Sequence, residues 1–428
     1  MADITNKKLR TMFIYQIFVR NYSEKGDFAG VECDLDRIKG LGVDIIYLLP
    51  IHPVGVEKRK GTLGSPYAIS DYRSVNPEYG TLEDFIRLVD AIHEKDMKCI
   101  IDVVYNHTSP DSVLVKEHPE WFYHKADGTL GNRVGDWSDI VDLDYTNMDL
   151  WDYQIDTLKY WAGFVDGFRC DAAPMVPVGF WEKARAEVEA VRPGCIWLAE
   201  SIDPGFILQL RSEGIPAHGD AELYRAFDIT YDYDIYGCLV DYLSGKAALR
   251  DYAGAVNRQE YTYPDNYVKL RFLENHDRSR AAFMIPDKQA LYNFTAFLFF
   301  QKGITLVYAG QEFGAVHRPS LFDRDTVDMY PGDDADMSGL IYRLSGIKRR
   351  EIFIDSAYVL TASDEDVMIA SYSGRGAHLT GIFSLKGRTV HVPVMIPDGI
   401  YTDILSDEKV EIYEGALNIY GRPIIFEW

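Results

Sequence analysis

The chain is poor in the residues that would mark a stapled or cysteine-ligated protein. Its 428 residues hold only five cysteines, Cys33, Cys99, Cys170, Cys195 and Cys238, an odd and widely scattered set without a Cys-x-x-Cys pair. That argues against a disulfide framework and against a cysteine-based zinc site. Positive charge is also short. Lys and Arg number 44 against 66 Asp and Glu, a formal net charge of -22 that repels phosphate backbones and anionic lipid. Nucleic acid and membranes are therefore not expected partners. No apolar run is long enough to cross a bilayer, and Met1 to Arg10 lacks the apolar stretch of a leader segment, so the expectation is a soluble, cytoplasmic chain. Internal repeats and low-complexity tracts are missing too. Ser373-Gly374-Arg375-Gly376 has the glycines of a phosphate loop but no helix behind it, and reads as a turn between strands.

Apolar residues and aromatics are plentiful. Length and apolar content suffice for a large core. The 29 Tyr, 21 Phe and 7 Trp offer flat faces with polar edges, which suit uncharged, hydroxyl-rich ligands as well as ordinary cores.

Along the chain, short apolar runs alternate with helix-period segments, the pattern of a parallel sheet with crossover helices. Strands are expected at 12–19, 44–49, 99–105, around Gly167 to Asp171, and at 196–199, 226–231, 268–273 and 304–308. Helices are expected between them, among them 82–95, where Leu82, Phe85, Ile86, Val89 and Ile92 form one stripe behind a Thr81 cap with Asp84 at the third helical position. Eight strand-helix units match a closed (β/α)8 barrel of the α/β class. Residues 109–150 lose all periodicity while gathering His, Asp, Gly, Trp and Tyr, which predicts an excursion over a site. The texture then changes to short β runs broken by Gly and Asp. The expected layout is a barrel over 1–353 interrupted by the 109–150 excursion, and an antiparallel β domain over 354–428.

Four strand ends carry polar payloads. These are Asp102-Val-Val-Tyr-Asn106-His107, Arg169 with Asp171, Glu200, and Asn275-His276-Asp277. In a parallel barrel all of them open onto one face. Taken singly, Arg169 and Asp171 read as a structural ion pair, His107 or His276 as a hydrogen-bonded strand end, and Asp102 as a loop brace. Their coincidence at one mouth favours a site. Carboxylates with an Arg and two His, and no phosphate-binding glycines, suit cleavage of a bond with a cationic transition state. Arg169 would keep Asp171 ionised, whereas Glu200, with no basic neighbour in sequence, could stay protonated.

These motifs, in this order and spacing, resemble the α-amylase superfamily of glycoside hydrolases. Gly167-Phe-Arg169-Cys-Asp171-Ala and Phe272-Leu-Glu-Asn-His276-Asp277 carry much of the likeness, and Val141-Asp142-Leu143-Asp144 resembles a further motif inside the excursion. The similarity runs from about residue 12 to 350. It implies Asp171 as nucleophile, Glu200 as general acid/base and Asp277 as third carboxylate, with Tyr67, His107, Arg169, His276 and Arg280 as sugar contacts and a C-terminal β-sandwich. The implied activity is retaining hydrolysis of α-1,4 bonds in maltodextrins or starch-type glucans. Alternatives are transglycosylation, a sucrose- or trehalose-directed glucosidase, or a barrel that binds sugar without turnover. Pro174-Met175 departs from the Lys-His that many endo-acting members carry, while Ala172 is similar to the α-1,4 group. No cofactor is implied as a requirement. Calcium is left open, with Asn106 its candidate ligand, although Asn21 to Asp27 lacks the spacing of a calcium loop.

Overall fold

The computed structural model describes residues 5–428 apart from 136, 328, 330–334 and 375. Arg375 of the Ser373 to Gly376 turn and the first four residues thus lie outside the described residues. Eight strands form a closed barrel: β1 (Phe13–Ile17), β2 (Ile45–Leu48), β3 (Lys98–Val103), β4 (Gly167–Cys170), β5 (Ile196–Ala199), β6 (Ile229–Tyr231), β7 (Val268–Arg271) and β8 (Ile304–Tyr308). Each pairs in parallel with its sequence neighbours, and β8 closes on β1 through Phe13 opposite Thr305 and Gln16 opposite Tyr308. Because both faces of every strand are covered, the runs are apolar without alternation, as in Ile45-Ile-Tyr-Leu48, all buried.

The crossover helices follow the sequence pattern. α1 (Leu82–Glu94) starts at a capping box in which the Thr81 hydroxyl accepts from the Asp84 N–H and the Asp84 carboxylate accepts from the Thr81 N–H. Its Phe85, Leu88, Val89 and Ile92 face the barrel. α2 (Met148–Ala162) and α3 (Val178–Glu189) flank β4, α4 (Tyr233–Leu243) and α5 (Leu249–Thr262) follow β6, α6 (Lys288–Phe300) follows β7, and α7 (Ser338–Lys348) follows β8.

Some elements differ from expectation, the helix Pro204–Ser212 after β5 among them. The sixth strand is only Ile229–Tyr231, because Ala226 and Phe227 still belong to a helical turn and Asp228 is bound by Arg185, the Trp197 N–H and Thr5. α5 has no counterpart in the sequence reading. Its polar face, rich in Arg, Asn, Gln and Glu, hides an apolar side of Tyr252, Ala253, Ala255 and Val256.

Residues 109–147 leave the barrel between β3 and α2, anchored by a two-residue ribbon that pairs His107 with Asp142 and Thr108 with Val141, so the expected excursion ends three residues earlier, where α2 begins. After α7 the chain enters an antiparallel sheet of β9 (Ala357–Ala362), β10 (Val367–Gly374) and β11 (Ala377–Ser384), with the last strand, Ile424–Glu427, beside β11. Two ribbons, Thr389–Pro393 with Ala416–Tyr420 and Gly399–Thr402 with Lys409–Ile412, cover it, and Val367, Ile382, Val392, Leu417, Ile419 and Phe426 form a small core of their own. The other face of the sheet packs on α6: Phe300 meets Phe353, Tyr372 and Phe383 at 5.5 Å between ring centroids. α6 is apolar on all sides because it lies between two layers.

Candidate active site

The carboxyl ends of the strands surround one cavity of about 540 Å³, lined among others by Tyr67, His107, Trp137, Asp171, Glu200 and Asp277. Parallel pairing explains the convergence. Asp171 and Glu200 each follow the last residue of a neighbouring strand, and their backbones continue the ladder, the Asp171 N–H to Val103 O and the Glu200 N–H to Cys170 O.

Arg169 lies at the centre, wholly buried. Its Nη1 donates to Asp171 Oδ1 at 2.8 Å and to Asp102 Oδ1 at 2.9 Å, and its Nη2 lies 2.8 Å from Glu200 Oε1. The Glu200 contact is an ion pair without the direction of a hydrogen bond. The sequence reading, which left Glu200 without a basic neighbour, is corrected here: the same guanidinium serves both carboxyls. One positive charge faces three acids in a site shielded from water, so it cannot hold all three ionised. Burial pushes Asp102 up to about 6, Asp171 to about 7 and Glu200 to about 8, in each case against the pull of Arg169. Neighbouring carboxylates add to burial in both catalytic candidates, Asp102 and Asp277 for Asp171 and Asp171 and Asp277 for Glu200. The other oxygen of Glu200 accepts from the Ala172 N–H at 2.8 Å, presented by a residue held at φ +43° in the left-handed region.

Asp102 is no loop brace. It sits inside the barrel, unexposed, and takes hydrogen bonds from Tyr47 Oη at 2.6 Å and Tyr67 Oη at 3.0 Å besides Arg169. Tyr67 lies in the loop after β2, its ring stacked on His276 at 5.5 Å and 17°. His276 and His107 are both buried, which pushes each imidazole down to about 4 and keeps it neutral. His107 accepts from Asn106 Nδ2 at 3.1 Å and packs beside Trp137 at 5.7 Å. Asp277, two-fifths exposed, is held over the cavity by Asn275, whose Oδ1 accepts the Asp277 and Arg278 N–H groups.

Of the expected sugar contacts, Tyr67 and His107 line the cavity, Arg169 and His276 are buried and do not line it, and Arg280 is tied up elsewhere. Its guanidinium is taken up by Glu274 and by the carbonyls of Ala309 and His317, and it ties the segment after β7 to the one after β8 without lining the cavity. The sequence reading missed Tyr47, Trp137, Tyr233 and Phe206. Trp137 comes from the 109–150 excursion, whose place over a site was expected without a residue being singled out, while Phe206 carried no local signal and Tyr47 sits within an apolar strand.

The residues at Asn106 do not fit a calcium ion, which needs roughly six to eight oxygen ligands. The Asn106 amide nitrogen is turned to His107, and Asp142 Oδ2 already accepts the Arg133 N–H at 2.7 Å with the Arg133 guanidinium 3.6 Å away. Asp142 Oδ1 lacks a partner, but a single orphaned oxygen next to an arginine makes a poor cation site. Among the described residues no three His, Cys, Asp or Glu side chains are grouped to hold a metal. Nor is any described helix long and apolar enough to cross a membrane.

The family model for the alpha amylase catalytic domain matches residues 13–132, and that for the bacterial alpha amylase C-terminal domain matches 359–426. An alpha-amylase from Lactobacillus plantarum of known crystal structure is 51% identical, with 99% of this chain and 100% of that one covered and a TM-score of 0.96. The noncanonic maltogenic alpha-amylase AmyB from Thermotoga neapolitana is 34% identical over 98% of this chain and 99% of that one, at a TM-score of 0.87. Among curated relatives, alpha-amylase MalA from Haloarcula japonica is 30% identical over 70% of this chain, and an alpha-1,4-glucan:maltose-1-phosphate maltosyltransferase from Rhodospirillum rubrum is 37% identical over 41%. The chain spans less than half the length of either, 44% and 28%.

Proposed function

The chain belongs to the alpha-amylase family, and from that premise we propose that it is a retaining α-glucoside hydrolase acting on α-1,4 bonds in maltodextrins or starch-type glucans. The observation that carries this reading is Arg169 bridging Asp171 and Glu200 at 2.8 Å each, both of which line a cavity together with Tyr67 and Asp277. Two carboxyls on one guanidinium suit the close pair of a retaining enzyme, roughly 5 to 5.5 Å apart, better than the wider gap that an inverting enzyme leaves for water.

The roles follow from the environments. Asp171 takes a directed hydrogen bond from Arg169 whereas Glu200 has only an undirected ion pair with it, which favours the charge on Asp171 and the shared proton on Glu200. Asp171 attacks the anomeric carbon while Glu200 gives its proton to the departing oxygen, and the bond to that oxygen breaks. A glycosyl ester on Asp171 results. Glu200, now a base, takes a proton from water, which displaces Asp171 and restores both residues with the original anomeric configuration. Tyr67 offers a ring face to the sugar, and Asp277 and His107 offer polar groups to its hydroxyls.

Transfer to a sugar instead of water uses the same intermediate, and the likeness to maltosyltransferases favours keeping it as the second reading. Product analysis of a maltooligosaccharide series separates the two. Hydrolysis gives only shorter products; accumulation of longer ones overturns it in favour of transfer, and no turnover on any α-glucan overturns both.

A further inference from the structure

Behind the sugar-facing side chains is a buried amide with no assigned role. Gln16, the fourth residue of β1, is unexposed, and its Nε2 lies 2.9 Å from His276 Nδ1. Its Oε1 has no partner among the described residues, so the contact with His276 is the one polar interaction this side chain makes there.

An amide beside an imidazole nitrogen can serve either tautomer, donating through its NH2 to a bare nitrogen or accepting through its oxygen from a protonated one. The far side of the ring decides between them. His276 Nε2 lies 2.6 Å from Tyr67 Oη and 3.1 Å from Asp277 Oδ2. Asp277, when ionised, can only accept. The Tyr67 proton is committed to Asp102 Oδ2 at 3.0 Å, so the phenol oxygen also turns a lone pair toward the ring. With two acceptors around it, Nε2 carries the hydrogen, Nδ1 is bare, and Gln16 presents its N–H.

We infer that Gln16 is a positioning residue which locks His276 in the neutral Nε2–H tautomer and so fixes the direction of the whole hydrogen-bond chain. That chain runs from Gln16 N–H to His276 Nδ1, from His276 Nε2–H to Tyr67 Oη and Asp277, and from Tyr67 O–H to Asp102 and thus to Arg169. Under the glucosidase reading, on which the functional consequence rests, His276 then holds the Tyr67 ring and the Asp277 carboxylate in place at the cavity and Tyr67 keeps its proton on the Asp102 side. The charged groups facing the ring are Asp277, Arg169 and Arg318. The first favours an imidazolium and the two arginines oppose it, and the uncharged Gln16, giving its N–H to Nδ1, holds the tautomer that Tyr67 and Asp277 select.

The test is 15N NMR of protein labelled at the histidine ring nitrogens, with His276 assigned by the signals lost in His276→Gln. The native protein should give a bare Nδ1 and a protonated Nε2 for His276, unchanged from pH 5.5 to 9. Gln16→Glu places an acceptor at Nδ1, so a proton should appear there and the ring should titrate within that range, adding a limb to the pH profile of kcat/KM. Gln16→Leu leaves Nδ1 unpaired and should lower kcat/KM roughly ten- to a hundredfold, the scale of one unsatisfied buried group. A native spectrum with hydrogen on Nδ1 overturns the inference, as do Gln16→Glu spectra and pH profiles that superimpose on native. The native spectrum decides even where Gln16→Leu fails to fold. Since it needs no turnover, it stands apart from the product analysis, which tests the glucosidase reading without touching Gln16.

Discussion

Replacing Asp102 by Asn should move one limb of the activity profile and leave the other in place. Asp102 and Asp171 share Arg169 Nη1 at 2.9 and 2.8 Å, so the two carboxylate oxygens are within about 5.7 Å of each other. The charge of Asp102 is among the causes that raise Asp171, whereas burial, Arg169, Asp171 and Asp277 lead those acting on Glu200. Two like charges at that distance repel by on the order of 3 kcal/mol at an effective dielectric near 20, equivalent to about two pH units. Arg169, lying between the two carboxylates, screens part of that repulsion, so the realised shift is about half of it. The sign is fixed. Asp171 must be ionised to attack, so activity falls as pH drops through its pKa; removing the neighbouring charge lowers that pKa, and the acidic limb of kcat/KM should move about one unit toward acid. The alkaline limb, where Glu200 loses the proton it must donate, should stay near pH 8. The assay is kcat/KM on a nitrophenyl maltooligosaccharide from pH 4 to 10 for both proteins. An acidic limb that stays put or moves upward would refute the placement of Asp102 as a charge that tunes Asp171.

Tyr67→Phe keeps the ring that stacks on His276 but removes the hydrogen bond to Asp102, so kcat/KM should fall about fivefold, the worth of roughly 1 kcal/mol, as steady-state kinetics will reveal. Prolonged dialysis against a chelator should change neither activity nor thermal midpoint, because Arg133 faces Asp142 where a cation would need to bind; a loss restored by calcium alone would contradict this. Thr81→Ala breaks the capping box of α1 and should cost about 1 kcal/mol in urea unfolding without altering kcat.

The barrel could be read from the sequence because each strand buries both faces and announces itself as an apolar run, and because caps such as Thr81 with Asp84 are local chemistry. Asp171, Glu200 and Asp277 could be singled out because a parallel barrel gathers strand ends at one face. What could not be read was the wiring between distant residues. That Arg169 reaches Glu200 as well as Asp171 depends on the register of β4 and β5, which no spacing reveals, although the expectation of a protonated Glu200 agrees with its raised carboxyl. Arg280 failed for a related reason. Its neighbours in sequence suggest the cavity, yet Glu274, six residues earlier, draws it behind the loop. α5 was invisible because its polar residues outnumber the narrow stripe that packs on α4 and β9.

The central claim is the division of labour between Asp171 and Glu200, and one pair of variants tests it most directly. Asp171→Asn should abolish turnover on every substrate, since no improvement in the leaving group replaces a nucleophile. Glu200→Gln should still react with a maltosyl fluoride, whose leaving group needs little protonation, and should then stall because no base remains to activate water. Mass spectrometry of Glu200→Gln after that reaction should find the sugar attached to Asp171. An adduct on Asp277, or near-native turnover of maltooligosaccharides by Glu200→Gln, would contradict the assignment.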